Sequence, residues 1–315
     1  MALIFNFHEL QDVNWFDSTV LYLTSKYKPV SLDELMNLYR QGTGLGNVCH
    51  FTFDDGASSF YKFAYPVLKK HNVPSTVFVS PDAAINRKNL WFQEIEGCEA
   101  RSLLSVATDV LGIGEKTDLQ YPVCDVFKCL KIELIWEIIN RYQRLNNLDR
   151  RPCKNMSADE IKEVESSGLV TVGAHTILHP ILANEDSEVS KNEIKLSFEL
   201  LSDSLGHDIK YFAYPNGLYD FDYGQREISI LKDSGCVCAF STSAGRFNRG
   251  SDLYSIPRIG LSCYDSRPYI NAKLITGSYW DLIRKIKPGN EINNRKSISD
   301  ILKANFSEVE YTNHQ

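Results

Sequence analysis

Short apolar runs rich in β-formers alternate with longer amphipathic segments, and this alternation sets the strongest limit on what the chain can become. Seven runs read as strands: ALIFNF (2–7), NVCHFTF (47–53), STVFVS (75–80), LVTVGA (169–174), IKYFAY (209–214), VCAFST (237–242) and LYSIPRIG (253–260). Strands separated by helices predict a parallel sheet covered by those helices. The helices have readable ends. Ser31 stands before LDELMNLY with Glu34 three residues on, Asn72 and Pro74 close PVLKKH, and Ser157 with Glu160 opens a helix that Gly168 stops. SKNEIKLSFELLSDSLG predicts another, from Ser190 to Gly206. An open doubly wound sheet would need a glycine-rich phosphate loop after its first strand, where this chain has HELQDVNWF. The pattern therefore predicts an α/β fold, a distorted, incomplete (β/α) barrel of about seven parallel strands.

Residues 1–265 are expected to form the barrel, with residues 86–155 as a helical insertion within it. The insertion repeats apolar positions three and four apart through WFQEIEGCEARSLLSVATDVLG and DVFKCLKIELIWEIINRYQRLNNL. Residues 266–315 read as a helical extension: SYWDLIRKI, a turn at Lys287-Pro288-Gly289-Asn290, SISDILKANF and a polar tail. A net charge of −6 leaves no basic footprint, which argues against nucleic acid as a partner. No apolar run reaches the ~18 residues that span a membrane. MALIFNFHEL lacks a basic start and reads as a first strand, not a signal peptide. A cytoplasmic location is expected, with the eight cysteines, which include no C-x-x-C pair, as free thiols.

In a (β/α) barrel, reactive side chains collect at the C-terminal ends of the strands. The second strand ends in FTFDDG, placing Asp54 and Asp55 side by side. Two adjacent carboxylates need water, a proton or a cation to relieve their repulsion. A turn with both groups in water is one reading. The other comes from GAHTILHP, where Pro180 biases His179 away from helix and puts His175 and His179 on a tight strand-to-loop turn. Two imidazoles and a carboxylate from another strand hold a divalent metal by three ligands and leave positions open. Asp55 can be that carboxylate, leaving Asp54 as a base. Asn6 and His8 end the first strand, Tyr214 and Asn216 end the fifth, and Arg258 lies on the seventh.

FTFDDG, GAHTILHP and FAYPNG, in that order, resemble the polysaccharide deacetylases of the NodB-homology type, also called carbohydrate esterase family 4. The resemblance covers about residues 2–262 and includes the connecting segments PVLKKHNVPSTVFV and NMSADEIKEVESSGLVTVGAHT. It implies a distorted barrel, Asp54 as catalytic base, and Asp55, His175 and His179 as metal ligands. It also implies removal of an N-acetyl group from an amino sugar of a glycan or glycan precursor, with release of acetate. Zinc suits the nitrogen and oxygen ligands and open site best, and cobalt, nickel or iron share the ligand type. By the same analogy the backbone N–H of Asn216 faces the oxyanion.

Two features depart from the family pattern. Its fifth-strand Arg-x-Pro-Tyr is replaced by Ala213, Tyr214, Pro215 and Asn216, so the arginine that orients the base is missing. Arg258 is the nearest replacement cation; the other reading is an ion pair on the rim. The family's late Leu-x-His is missing too, and after His207 only His314 remains. His8 fits that vacancy as general acid, as in a subgroup with an N-terminal Tyr-His motif, because the first and last strands of a barrel are neighbours. A structural histidine bonding the rim is the alternative. His50, His71 and His207 are weaker candidates. Tyr214, Pro215 and Trp91 are candidate substrate contacts, although Trp91 and Phe92 equally suit packing of the insertion. The expected partner is an N-acetylated sugar or oligosaccharide, with the oligomeric state left open. A catalytically silent carbohydrate-binding protein and a deacylase of a non-sugar amide are the rival functions.

Overall fold

A computed structural model of the chain describes residues 1–42, 45–113, 119–286 and 289–312. All seven expected strands form, joined by one two-residue strand without a sequence signal. They are β1 (Leu3–Phe7), β2 (Lys28–Pro29), β3 (Val48–Phe53), β4 (Ser75–Val79), β5 (Val170–Ala174), β6 (Tyr211–Ala213), β7 (Cys238–Phe240) and β8 (Ile259–Gly260). The strands run parallel in the order β7-β6-β5-β4-β3-β1-β8, with β2 on β3. The curled sheet stays open between β7 and β8 apart from a bridge between Phe240 and Ile256. It is an incomplete (β/α) barrel. Its first and last strands are neighbours: Asn6 pairs with Gly260 on one side and with Thr52 on the other.

Alternation along the strands sorts the side chains into two layers. Leu3, Phe5 and Phe7 of β1, with Cys49, Phe51 and Phe53 of β3, pack outward beneath the helices. Ile4, Val48, Phe78, Ala213, Cys238 and Phe240 form a separate buried cluster inside the barrel. Gly173 lies so close to Phe78 that a Cβ there would sit 2.5 Å from the ring, so this glycine makes room for an interior aromatic. Towards the C-terminal ends the inward positions turn polar: His50 and Thr52 on β3, Asp54 beyond it, and Asn6 on β1 are all buried.

The helices of the first half are α1 (Val13–Thr24), α2 (Leu32–Gln41), α3 (Tyr65–His71, entered through a π-helical turn), α4 (Pro81–Ile85), α5 (Trp91–Glu94) and α6 (Ala100–Val110). Those of the second half are α7 (Val123–Phe127), α8 (Ile132–Leu145), α9 (Ala158–Ser166), α10 (Ser187–Leu205), α11 (Gln225–Asp233), α12 (Arg267–Ile286) and α13 (Asn290–Thr312). Ser31 accepts from Glu34 N at 3.1 Å, and Ser157 with Glu160 closes a reciprocal cap, as the sequence implied. The helix expected from Ser190 begins at Ser187, because Asp186 Oδ1 accepts from Val189 N at 3.0 Å and caps it earlier.

The chain divides into two compact units, residues 1–88 with 153–282, and residues 89–152 with 283–315. The extension expected from residue 266 is thus shared between them. Ile270 and Leu274 of α12 join the buried cluster of the first unit. In the second, Lys128 pairs with Glu291 at 2.9 Å and Asn294 donates to Asp125 at 2.7 Å, tying α13 to the α7 region. SYWDLIRKI falls in α12 and SISDILKANF in α13. Lys287 and Pro288 of the expected turn, and His314, lie outside the described residues. No helix among the described residues is long and apolar enough to cross a membrane. All eight cysteines are unpaired.

His50 belongs to the interior. Its Nδ1 donates to Val30 O and its Nε2 accepts from Thr76 Oγ1, both at 2.8 Å, so the neutral ring is fully bonded. Burial, against the pull of the Val30 bond, lowers its pKa from 6.5 to about 4. The unfolded chain takes up this proton below about pH 6.5 and the folded chain only below about pH 4. Stability is therefore whole above that window and falls through it as pH drops, by roughly 3 kcal/mol. Urea unfolding from neutral pH down to about pH 4 is expected to show a shallower pH dependence for His50→Gln than for wild type. Equal slopes would contradict this assignment.

Candidate active site

Asp54 is the first residue past β3 and is 4% exposed. A carboxylate buried this deeply needs a matched partner. Arg258, itself 1% exposed, provides one: Nη1 reaches Asp54 Oδ1 at 2.7 Å and Nη2 reaches Oδ2 at 2.8 Å. Further donors of the guanidinium are used as well. Nε donates to Ser241 O at 2.9 Å, and Nη1 also approaches Asn6 Oδ1 at 3.0 Å and Thr52 Oγ1 at 3.2 Å. Asn6 turns its amide to the same carboxylate, Nδ2 to Asp54 Oδ2 at 3.1 Å. The guanidinium lies 5.8 Å from the ring centroids of both Phe78 and Phe240. Burial alone would raise the Asp54 carboxyl; the Arg258 charge, then His175 and the Arg258 hydrogen bonds, outweigh it and hold the group below the ordinary carboxylate range.

Asp55 goes to different partners. Its φ of +72° turns the chain out of the strand direction, and Oδ1 lies 3.4 Å from Nε2 of both His175 and His179. One ligand atom from each of these three buried residues falls within 4.8 Å of the others. Two ligand atoms each about 2.1 Å from a zinc ion at the tetrahedral angle stand about 3.4 Å apart, so the spacing fits such an ion. His175 Nδ1 lies 2.7 Å from Ala213 O, an acceptor, so Nδ1 carries the proton and Nε2 is the ligating atom. Burial pushes the Asp55 carboxyl up, but hydrogen bonds from His175 and His179 hold it well below its ordinary value. Burial lowers His179 further than Asp55 raises it, whereas Asp55 and Asp54 carry His175 above its ordinary value despite burial.

The loops that present these groups are strained. Asp55, Thr176, His179 and Asn216 all have positive φ without being glycine, at a cost of order 1–3 kcal/mol each. Two buried carboxylates, both missed in the sequence, hold the loops in place. Glu193 of α10 is 5% exposed, and its Oε2 accepts from Ile177 N at 2.8 Å and Leu178 N at 2.9 Å, clamping the turn between the two histidines. Burial pushes its carboxyl up to about 7 while those two bonds pull it down. Asp222 does the same for the turn after β6, accepting from Asn216 Nδ2 and Leu218 N at 2.8 Å. Glu193 did leave a signal: it interrupts the buried stripe of α10 between Ser190 and Ile194.

His8 lies near the base, its Nε2 3.8 Å from Asp54 Oδ2, with a side chain 57% exposed. Asn216 is partly buried, and among the described residues nothing accepts from its backbone N–H. Tyr214 does not offer its ring to a ligand. It is 0% exposed, stacked on Tyr223 at 3.5 Å, and its hydroxyl donates to Tyr254 O. Pro215 is buried as well. Trp91 lies in the second unit, 2% exposed against Phe92 and Phe127, which is packing and not a sugar platform. His71 pairs with Asp17 and His207 with Glu165, so each has a partner away from the Asp54 and Asp55 cluster.

Residues 41–229 match the sequence profile of the polysaccharide deacetylase family. The chain belongs to that family. One relative of this polysaccharide deacetylase chain is the poly-beta-1,6-N-acetyl-D-glucosamine N-deacetylase of Staphylococcus aureus strain MSSA476. It is 24% identical over 256 residues, covering 78% of this chain and 66% of the relative. The chain spans just under two thirds of the length of that curated relative. Two solved structures share the fold. The Streptococcus pyogenes deacetylase PplD, in complex with acetate, superposes with a TM-score of 0.59 at 18% identity, covering 86% of this chain and 97% of its own. IcaB from Ammonifex degensii gives 0.59 at 20% identity, over 86% and 96%.

If Glu193 sets the spacing of the two histidines, its loss should weaken metal binding more than it weakens the fold. Glu193→Ala is expected to lower zinc affinity about 10–100-fold in competition with a chelator, with Glu193→Gln retaining most of it. Zinc affinity of Glu193→Ala equal to wild type would remove Glu193 from this role.

Proposed function

We propose that the protein is a metal-dependent carbohydrate deacetylase that removes an N-acetyl group from an amino sugar of a glycan or glycan precursor and releases acetate. The observation that carries this reading is a buried base, Asp54 held by Arg258, beside the Asp55, His175 and His179 cluster. Those three residues would hold the divalent ion; zinc is the first choice, with cobalt, nickel and iron sharing the donor set. When bound there, such an ion supplies an activated water and polarises an acyl oxygen. Asp54 accepts the proton of the attacking water. Its lowered pKa keeps it ionised and ready, and makes it a weak base that readily passes the proton on. His8, exposed at the rim 3.8 Å from Asp54, gives a proton to the departing amine. The backbone N–H of Asn216 is the candidate donor to the oxyanion.

The missing fifth-strand arginine and the missing late histidine are what speak for a silent carbohydrate-binding protein. The two-point contact of Arg258 with Asp54 favours the catalytic reading instead. The polymer named for the Staphylococcus aureus relative supports a glycan of N-acetylglucosamine as the substrate class. Eight unpaired cysteines suit a reducing compartment, and with it a cytoplasmic protein acting on a precursor.

The test is acetate release from N-acetylglucosamine oligomers and nucleotide-linked N-acetyl sugars, using protein stripped with chelator and reloaded with zinc or cobalt. Metal should restore release, Asp54→Asn should lower kcat at least ~100-fold, and His8→Ala about 10–100-fold. Release unaffected by His8→Ala removes His8 from the mechanism. Release from a small amide but from no amino sugar points to a non-sugar deacylase. No release at all, with one metal bound per chain, overturns the proposal.

A further inference from the structure

The turn after β6 leaves one backbone donor on offer and ties up its neighbours. Gly217 N donates to Pro215 O at 2.6 Å, closing a three-residue turn around Asn216, whose φ is +59°. A turn of this kind with positive φ at its centre is the rare, strained form. Gly217 follows at φ +71°, where an added Cβ would stand 3.0 Å from Thr242 N and Tyr214 O, so only glycine fits. Thr242 N donates to Gly217 O at 2.9 Å, and the Thr242 hydroxyl donates to Asn216 O at 2.5 Å. Leu218 N goes to Asp222 Oδ2 at 2.8 Å. Of the backbone N–H groups from Asn216 to Leu218, that of Asn216 alone has no acceptor among the described residues.

The Asn216 N–H shares a peptide plane with Pro215 O and points away from it, so the bond from Gly217 helps to set its direction. Strain at such a turn persists only where the surroundings overdetermine it. Asp222 supplies the hold from the side-chain end. It is 1% exposed, and its Oδ2 accepts from Asn216 Nδ2 and Leu218 N, gripping the turn on either side of Gly217. The same residue reaches the segment beyond the histidines. Its backbone O accepts from Ala183 N at 2.9 Å, a few residues past His179. Asparagine suits position 216 twice over, because it tolerates the left-handed region and offers an amide that a carboxylate can hold.

We propose that Asp222 is a positioning residue for the reaction. Acting through the Asn216 side chain, it fixes the direction of the Asn216 N–H toward the tetrahedral oxyanion and ties that donor to the segment that follows His179. The assignment rests on the deacetylase reading above, in which this N–H stabilises the oxyanion. A donor aimed at charge that develops only in the transition state raises kcat and leaves ground-state binding alone. Loss of Asp222 therefore reads in kcat and not in KM.

The test uses the full zinc-loaded chain and acetate release from N-acetylglucosamine oligomers. Asp222→Ala is expected to lower kcat about 10–100-fold, while KM, and zinc affinity in competition with a chelator, move less than about twofold. Asp222→Asn can place its amide oxygen where Oδ2 stood and should recover most of kcat. Asn216→Gly removes the amide from the other end of the contact while glycine keeps the left-handed backbone. It should fold, and lose kcat about tenfold in the same pattern, which keeps the proposal open to test should Asp222→Ala unfold. Acetate release by wild type, with kcat of the folded variants within about twofold of it, overturns the positioning role alone. A loss in which KM or zinc affinity worsens along with kcat overturns it too, because a merely loosened site behaves that way. No release by wild type fells the deacetylase reading, and the positioning role with it.

Discussion

The buried pair of Asp54 and Arg258 is the interaction on which the rest of the structure depends. Removing one member of such a pair leaves a bare charge in a low-dielectric interior, at a cost of about 3–5 kcal/mol. Both groups are almost wholly buried, and the contact is two-pointed. The guanidinium also bonds Asn6 on β1, Thr52 on β3 and the Ser241 carbonyl just past β7. One side chain therefore fixes the relative height of three strands around the opening in the sheet. With Asp54 neutralised inside the barrel, its neighbour Asp55 is released for a different task.

That division explains how two adjacent carboxylates coexist. Each is drawn below its ordinary pKa by its own cation or imidazoles, so neither has to carry a proton for the other's sake. Glu193 and Asp222 extend the same device outward: Glu193 accepts from two backbone N–H groups of one flanking turn, and Asp222 accepts from the Asn216 side-chain amide and the Leu218 N–H of the other. Positive φ at Asp55, Thr176, His179 and Asn216 is tolerated because these bonds overdetermine the loops. In the proposed reaction, the strain buys a base, a ligand set and a backbone donor facing one opening.

Much of this was legible in the sequence, for identifiable reasons. Strand alternation and helix caps are local signals, and Ser31, Ser157 and Gly206 act where the residues around them imply. The Asp, His, His cluster was legible because strand ends of a barrel converge whatever their separation in sequence. What depended on side-chain direction was not. Tyr214 sits in a site motif, yet its ring turns into the core onto Tyr223. Arg258 as rim ion pair or partner of the base could not be decided without knowing that its side chain points inward between Phe78 and Phe240. Grouping residues 89–152 with 283–315 rests on contacts such as Lys128 with Glu291, which leave no periodic trace.

The most direct measurement is a double-mutant cycle on Asp54 and Arg258, read as urea unfolding of the full chain at neutral pH. Arg258→Met alone should destabilise by about 3–5 kcal/mol, and adding Asp54→Asn should restore about 2 kcal/mol or more, because the charge left unpaired is then gone. Losses that simply add would mean that the two groups do not depend on each other, and would contradict the account at its centre.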